Sequence, residues 1–341
     1  MEIRWRDFPH IYESQQFSRQ NLEDIFKVTD VMAQLASKRN LKLLEGYRAI
    51  LYFYEASTRT LTSFAEAITR LGGVEFHTPD AKIFSSAAKG ESLKDTIKVL
   101  AGYFPDFIIM RHTKEGAAKE AVKILQKPLI VNPNPPAIIS AGDGPGQHPT
   151  QSILDLYTIR HFLGKIDGVK VAFVGDLENS RVVRSDCYLL GKFKDVEICF
   201  CSPKVVRMKE DIKSYLRRHG VKFWETNQLK KAIKWADFIQ DTRVQTERFE
   251  KNPEKLQQAL IGQSNLVITE RRMKQFTKGK FLGHPMPRIF EINQKIDDDS
   301  YPENVVFLRQ SQFGFFTRMA EVYIIRQNGV VDLKKLKKLA A

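Results

Sequence analysis

The chain has 341 residues, 43% of them hydrophobic, with a formal net charge of +14. That is enough apolar content to bury substantial cores, and the length argues for two domains. No run of about 18 apolar residues occurs, which excludes an apolar membrane-crossing helix, and the stretch Met1-Glu2-Ile3-Arg4-Trp5-Arg6-Asp7 lacks the apolar core of a signal peptide, so a cytoplasmic protein is expected.

In chain order, a helix is predicted over 22–35 behind the cap Ser18. The apolar run 49–53 then reads as a strand. It feeds Tyr54-Glu55-Ala56-Ser57-Thr58-Arg59-Thr60, and a helical pattern (Phe64, Ala67, Ile68, Leu71) leaves that stretch and stops at Gly72-Gly73. Strand, tight turn and helix N-terminus make an anion cradle, because the first turn of a helix carries N–H groups without intrahelical partners and a partial positive charge. A lone Ser-Thr at a helix start is more often only a cap, so the rest of the chain has to decide. Beyond it come a strand at 74–77, a helix at 93–103, strands at 107–110 and 129–131 flanking a helix at 117–125, and irregular proline-rich chain at 132–136; the glycines of 142–146 exclude a regular element there.

A helix at 153–162, ended by Gly164, leads into a second alternating series. Its strands are 169–174, 196–201, 221–224 and 237–241, with helices at 182–193, 208–219 and 229–235. The expected fold is α/β, with two doubly wound parallel-sheet domains and the active site in the cleft between them. The domains are drawn at 1–163, with a C-terminal helix from 309–341 packing back on it, and at 164–308. Cys187, Cys199 and Cys201 form no C-x-x-C pair and read as reduced packing residues; the histidines show no metal-ligand spacing. Lysines and arginines are spread along helical stretches such as 204–218, and only the tail 334–338 is densely basic. No nucleic-acid motif accompanies that charge, so specific nucleic-acid binding is not expected.

In open sheets of this kind ligands bind beyond the carboxyl ends of the strands, and the polar clusters fall there. They are the serine-rich loop with Ser85 and Lys89, Arg111-His112, Gln147-His148-Pro149-Thr150-Gln151, Gly175-Asp176-Leu177 with Arg181, Arg243-Val244-Gln245, and His284-Pro285-Met286-Pro287-Arg288. Each alone is weak. Together they set Arg59, Arg111, Arg181 and Arg243 at strand ends, where arginines aimed at one crevice repel each other unless an anion lies between them. Strongly anionic ligands follow.

The ordered series F-x-E-x-S-T-R-T, S-x3-K-G-E-S, R-H, G-Q-H-P-T-Q, G-D-L…R, R-V-Q-x-E-R and H-P-x-P-R resembles the catalytic chains of the aspartate carbamoyltransferase family, and the similarity covers roughly 17–326. The D-x-x-x-S-M-G and H-C-L-P segments of the ornithine enzymes are absent. The resemblance implies transfer of the carbamoyl group of carbamoyl phosphate to the amine of L-aspartate, with no metal or cofactor. It further implies Ser57, Thr58, Arg59, Thr60, Ser85 and Lys89 on the phosphate, and Thr60, Arg111 and His148 on the carbonyl oxygen. Gln151 would take the carbamoyl amide; Arg181, Arg243 and Gln245, with Lys89, the aspartate carboxylates; and the carbonyls of Pro285 and Met286 the amine. A homotrimer with shared active sites is implied too, with regulatory chains left open. A transcarbamylase for another amino substrate such as ornithine, or a non-catalytic paralogue with a binding or regulatory role, stays open. Leu61, Ala88, Thr113 and Met286 depart from the usual residues, and 126–140 is longer than in relatives, a stiff loop expected near His148.

Overall fold

In the computed structural model, which describes residues 2–4, 10–84, 90–250 and 252–340, the chain starts with β1 (Glu2–Arg4) and α1 (Arg19–Leu35). Ser18 caps α1 by accepting from the Asn21 N–H, while the Asn21 side chain accepts from the Ser18 N–H; Leu22, Ile25, Phe26, Met32 and Leu35 bury one helical face. Then follow β2 (Arg48–Phe53), α2 (Thr58–Arg70), β3 (Val74–Thr78), α3 (Ala81–Phe84), α4 (Leu93–Ala101), β4 (Phe107–His112), α5 (Ala117–Leu125) and β5 (Ala137–Asp143). These strands form a parallel sheet in the order β3-β2-β4-β5.

β5 corrects the sequence expectation. The strand assigned to 129–131 is a turn with Ile130 fully exposed, and the sheet is completed by Ala137–Asp143, every residue of it buried. The reason is burial on both faces: Ala137-Ile138-Ile139-Ser140-Ala141 has small and apolar side chains on both sides of the pleat, and the strand runs on through Gly142 and Asp143 despite the glycine. The proline-rich segment before it is pinned by Asn132, whose Nδ2 donates to the Ala101 carbonyl at 2.8 Å. It therefore leads into the amino end of β5, whereas His148 follows the carboxyl end, so the expected proximity of the two is not found.

The chain continues through α6 (Pro149–Leu163), β6 (Lys170–Gly175), α7 (Arg181–Leu190), β7 (Glu197–Cys201), α8 (Glu210–Arg218), β8 (Lys222–Thr226), α9 (Leu229–Trp235) and β9 (Phe238–Thr242). After these come α10 (Pro253–Ser264), α11 (Glu270–Met273), β10 (Phe281–Gly283), α12 (Phe307–Arg326), β11 (Val330–Asp332) and α13 (Leu333–Ala340). A second parallel sheet has the order β10-β9-β6-β7-β8, and β11 pairs antiparallel with β1. Two units result, residues 1–153 with 313–341, and residues 154–312, so the divisions fall inside α6 and α12. In the first, Leu333 and Leu336 of α13 are buried, α13 packs on α1, and Lys38 donates to the Leu339 carbonyl. Cys187, Cys199 and Cys201 are buried free thiols, and burial pushes all three up, that of Cys201 to about 12.

Each sheet reverses its strand order once, between β2 and β4 in the first and between β6 and β9 in the second. Such a switch point leaves a crevice outside the carboxyl ends of its two strands. Both lead straight to the polar clusters.

Candidate active site

In the first unit Phe53 and Arg111 are register partners, so the turn leaving β2 and the last residues of β4 lie side by side. Ser57 stands at the N-cap of α2 but accepts no N–H; its hydroxyl is instead within 3.1 Å of the Thr60 hydroxyl. By contrast Ser18, Ser92, Ser180, Asn252 and Thr269 each cap their helix with the side chain. The α2 N-terminus thus keeps a helix-start charge without a side-chain cap, as α5, α8 and α9 also do, but here with Ser57, Thr58, Arg59 and Thr60 around it, an arrangement that an external anion satisfies. Burial lowers the pKa of Arg59 there, since a guanidinium partly withdrawn from water loses hydration.

Arg111 is 9% exposed, its Nη2 lies 3.1 Å from Glu55 Oε2, and its Nη1 donates to the Ala141 carbonyl at 3.3 Å. His148, 4% exposed, receives the Gln151 and Ser152 N–H groups on its carbonyl, and its Nδ1 is 3.3 Å from the Thr150 hydroxyl. Asp143 builds the approach to it, accepting from the Gln147 N–H at 2.6 Å and the Gly116 N–H at 2.9 Å. Gly144 in the same turn has φ +52°, and a Cβ there would stand 2.2 Å from the Thr113 carbonyl oxygen, so the turn closes only around a glycine.

In the second unit the ends of β6 and β9 are tied through Asp176, fully buried. It accepts from the Asn179 side chain at 3.0 and 3.1 Å and from the Gln245 N–H at 3.2 Å, and burial raises its pKa. Gln245 Nε2 in turn donates to the Asn179 carbonyl at 2.8 Å. Arg181 is the first residue of α7, directly after the Ser180 cap. Arg243 extends past β9 with both terminal nitrogens on Glu247, Nη1 at 2.9 Å, and Nη1 also reaches the Val244 carbonyl. At β10 the chain turns through His284, whose Nε2 is 3.0 Å from Glu291 Oε1; Met286 follows at φ +56°.

Sequence reasoning placed these residues at strand ends; in the structure Ser57, Thr58, Arg59, Thr60, Arg111, His148 and Gln151 lie at or after the carboxyl ends of β2, β4 and β5 in one unit, and Arg181, Arg243 and Gln245 follow β6 and β9 in the other. Ser85 and Lys89 lie outside the described residues. Two corrections arise. Arg111 and Arg243 each carry an internal carboxylate, Glu55 and Glu247, so mutual repulsion among four bare arginines is not what calls for an anion. Arg288 of the H-P-x-P-R turn is spent on the carbonyls of Asn293, Gln294 and Ile296. The roles of Glu55, Asp176 and Glu247 were missed; for Glu247 a signal existed, since it stands four residues after Arg243. Among the described residues no cluster of histidine, cysteine and carboxylate side chains could hold a metal, and no helix is long and apolar enough to cross a membrane.

Residues 9–161 match the model of the aspartate/ornithine carbamoyltransferase carbamoyl-P binding domain, and residues 167–325 that of the Asp/Orn binding domain. An aspartate carbamoyltransferase of Arabidopsis thaliana, chloroplastic, is 42% identical over 94% of this chain and 78% of its own. The catalytic subunit from Methanocaldococcus jannaschii is 41% identical over 91% of this chain and 95% of its own. Among solved structures, aspartate transcarbamoylase from Trypanosoma cruzi in complex with carbamoyl aspartate and phosphate superposes with a TM-score of 0.82 at 31% identity, covering 92% of this chain and 95% of that one. The M. jannaschii catalytic subunit gives 0.81 at 39% identity, covering 94% and 99%. With both halves matched by the family models and the fold shared over 92% of the chain, it belongs to the aspartate/ornithine carbamoyltransferase family.

Proposed function

We propose that the protein transfers the carbamoyl group of carbamoyl phosphate to the amine of L-aspartate, releasing N-carbamoyl-L-aspartate and phosphate, a step of pyrimidine biosynthesis. The observation that carries this reading is the uncapped start of α2, with Arg59 in its first turn and Arg111 on the adjoining strand end. The phosphate sits on Ser57, Thr58, Arg59 and Thr60, and Ser85 and Lys89 are assigned to it as well. Arg111, His148 and Thr60 take the negative charge that the carbonyl oxygen gains as the amine attacks, and Gln151 takes the carbamoyl amide. Arg181, Arg243 and Gln245 receive the aspartate carboxylates, and the carbonyls of Pro285 and Met286 its amine. Neutral amine attacks the carbonyl carbon, the C–O bond to phosphate breaks, and the departing phosphate can accept the proton the nitrogen loses. Positioning and electrostatics then supply most of the rate. A colorimetric assay for carbamoyl product, with carbamoyl phosphate plus aspartate, ornithine or putrescine in turn, tests the assignment; product from aspartate alone is expected, and product only from another amine would replace it.

Arg243→Ala is expected to raise the aspartate KM roughly ten- to a hundredfold while the carbamoyl phosphate KM stays within about twofold, the worth of a charge-assisted arginine–carboxylate contact. An unchanged aspartate KM would remove Arg243 from the amino-substrate site. The working unit in this reading is a homotrimer in which Ser85 and Lys89 of one chain complete a neighbour's site. In its support, β3 is a sheet edge with Val74 and Phe76 more than half exposed, and Phe76 lines a groove of about 430 Å³ with Ile50, Tyr52, Leu100 and Tyr103. A bare apolar sheet edge invites pairing unless another surface covers it.

A further inference from the structure

The turn that carries Pro285 and Met286 is held from beneath by hydrogen bonds whose direction is set by one carboxylate. Asp155, 1% exposed, accepts from Gln310 Nε2 at 2.6 Å on one oxygen and from Gln240 Nε2 at 3.2 Å on the other. Gln310 Nε2 also donates to Gln240 Oε1 at 3.2 Å, which closes a three-membered ring, and Gln310 Oε1 accepts the His284 N–H at 2.9 Å. All three side chains of the ring are buried. A carboxylate can only accept and a backbone N–H can only donate, so the amide of Gln310 has one permitted orientation.

The order propagates into the turn. The Met286 N–H donates to His284 Nδ1 at 2.8 Å, so Nε2 is the protonated nitrogen, facing Glu291 Oε1 at 3.0 Å. Glu291 accepts in addition from the Ile289 and Phe290 N–H groups. The packing beneath leaves no slack, since a Cβ at Gly283 would stand 2.5 Å from Gln240 Oε1 and 2.7 Å from Gln310 Oε1. Asp186 is buried nearby, and burial followed by the charge of Asp155 pushes its carboxyl well above the ordinary range.

We propose that Asp155, acting through Gln310, is a positioning residue for the 284–286 turn and thereby for the amino substrate. This rests on the reading of Pro285 and Met286 as contacts of the aspartate amine. The wholly satisfied ring is a device of orientation, because an apolar filling of the same volume would avoid the cost of burying a carboxylate. Asparagine at 155 keeps the shape but cannot satisfy the ring. With its oxygen toward Gln310, its NH2 meets that of Gln240; turning Gln240 over brings two NH2 groups together at Gln310, and turning Gln310 over faces its NH2 with the His284 N–H.

The test measures Asp155→Asn and, to guard against misfolding of one variant, Gln310→Met, in the full chain. Amide hydrogen exchange of peptides spanning 283–291 should quicken about tenfold in both, with the aspartate KM rising about tenfold and the carbamoyl phosphate KM holding within about twofold, the size expected when one buried donor loses its acceptor. Unchanged exchange in both variants overturns the proposal, and so does faster exchange with an unchanged aspartate KM. A wild-type protein that makes no carbamoyl aspartate would sink the functional reading instead, while the exchange measurement still decides whether Asp155 holds the turn.

Discussion

Arg111→Ala is expected to lower kcat by about a hundred- to a thousandfold, the usual loss when one preorganised donor to a developing oxyanion is removed. The side chain is suited to that task by what surrounds it. Only 9% exposed, it is clamped by Glu55 at 3.1 Å and the Ala141 carbonyl at 3.3 Å, so its direction is set before substrate arrives and no water shell must be reorganised during the reaction. Lysine in its place should restore little, because a point charge on a flexible stem cannot reproduce a planar fork held on two sides. Glu55→Gln gives the intermediate case: the amide keeps one acceptor for the guanidinium but loses the charge, and a drop in kcat of about tenfold is expected. Steady-state kinetics with saturating aspartate decide it. A kcat for Arg111→Ala within tenfold of wild type would take Arg111 out of the transition state and leave it a structural partner of Glu55.

That clamp also marks where the sequence stops being readable. The strand, turn and helix of the proposed anion cradle were legible because a buried strand, a turn rich in hydroxyls and an amphipathic helix follow one another within 48–70. α5 and α9 begin and end at the expected residues for the same reason. β5 was obscured because prolines precede it and glycines follow, while the exposed apolar pair Ile130 and Val131 imitated a strand. Partners joined across crossovers leave no periodic trace at all. Glu55 meets Arg111 only once β2 and β4 are neighbours, and Asp155 meets Gln310 across 155 residues of chain. Their spacing is a property of the sheet order, which hydrophobic patterning does not encode residue by residue.

Mixing two inactive variants is expected to restore activity if sites are shared between chains. Lys89 is proposed to reach the phosphate of a neighbouring subunit, where Arg59 already faces it; a phosphate dianion gains from a second cation, and a closed three-fold ring repeats one such heterologous contact at every interface. Arg59→Ala and Lys89→Ala should each be nearly inactive alone. When they are dissociated, combined in equal amounts and reassembled, random association puts about three quarters of the trimers in mixed form, each with one site that has Arg59 from one chain and Lys89 from the next. One native site in three, in about three quarters of the trimers, gives a recovery of roughly a quarter of wild-type activity. The stoichiometry distinguishes this from a general stabilising effect of mixing, since recovery should peak at equal amounts and vanish at either extreme. If native mass spectrometry shows mixed trimers and no activity returns, Arg59 and Lys89 of each site belong to the same chain and the shared-site arrangement is wrong.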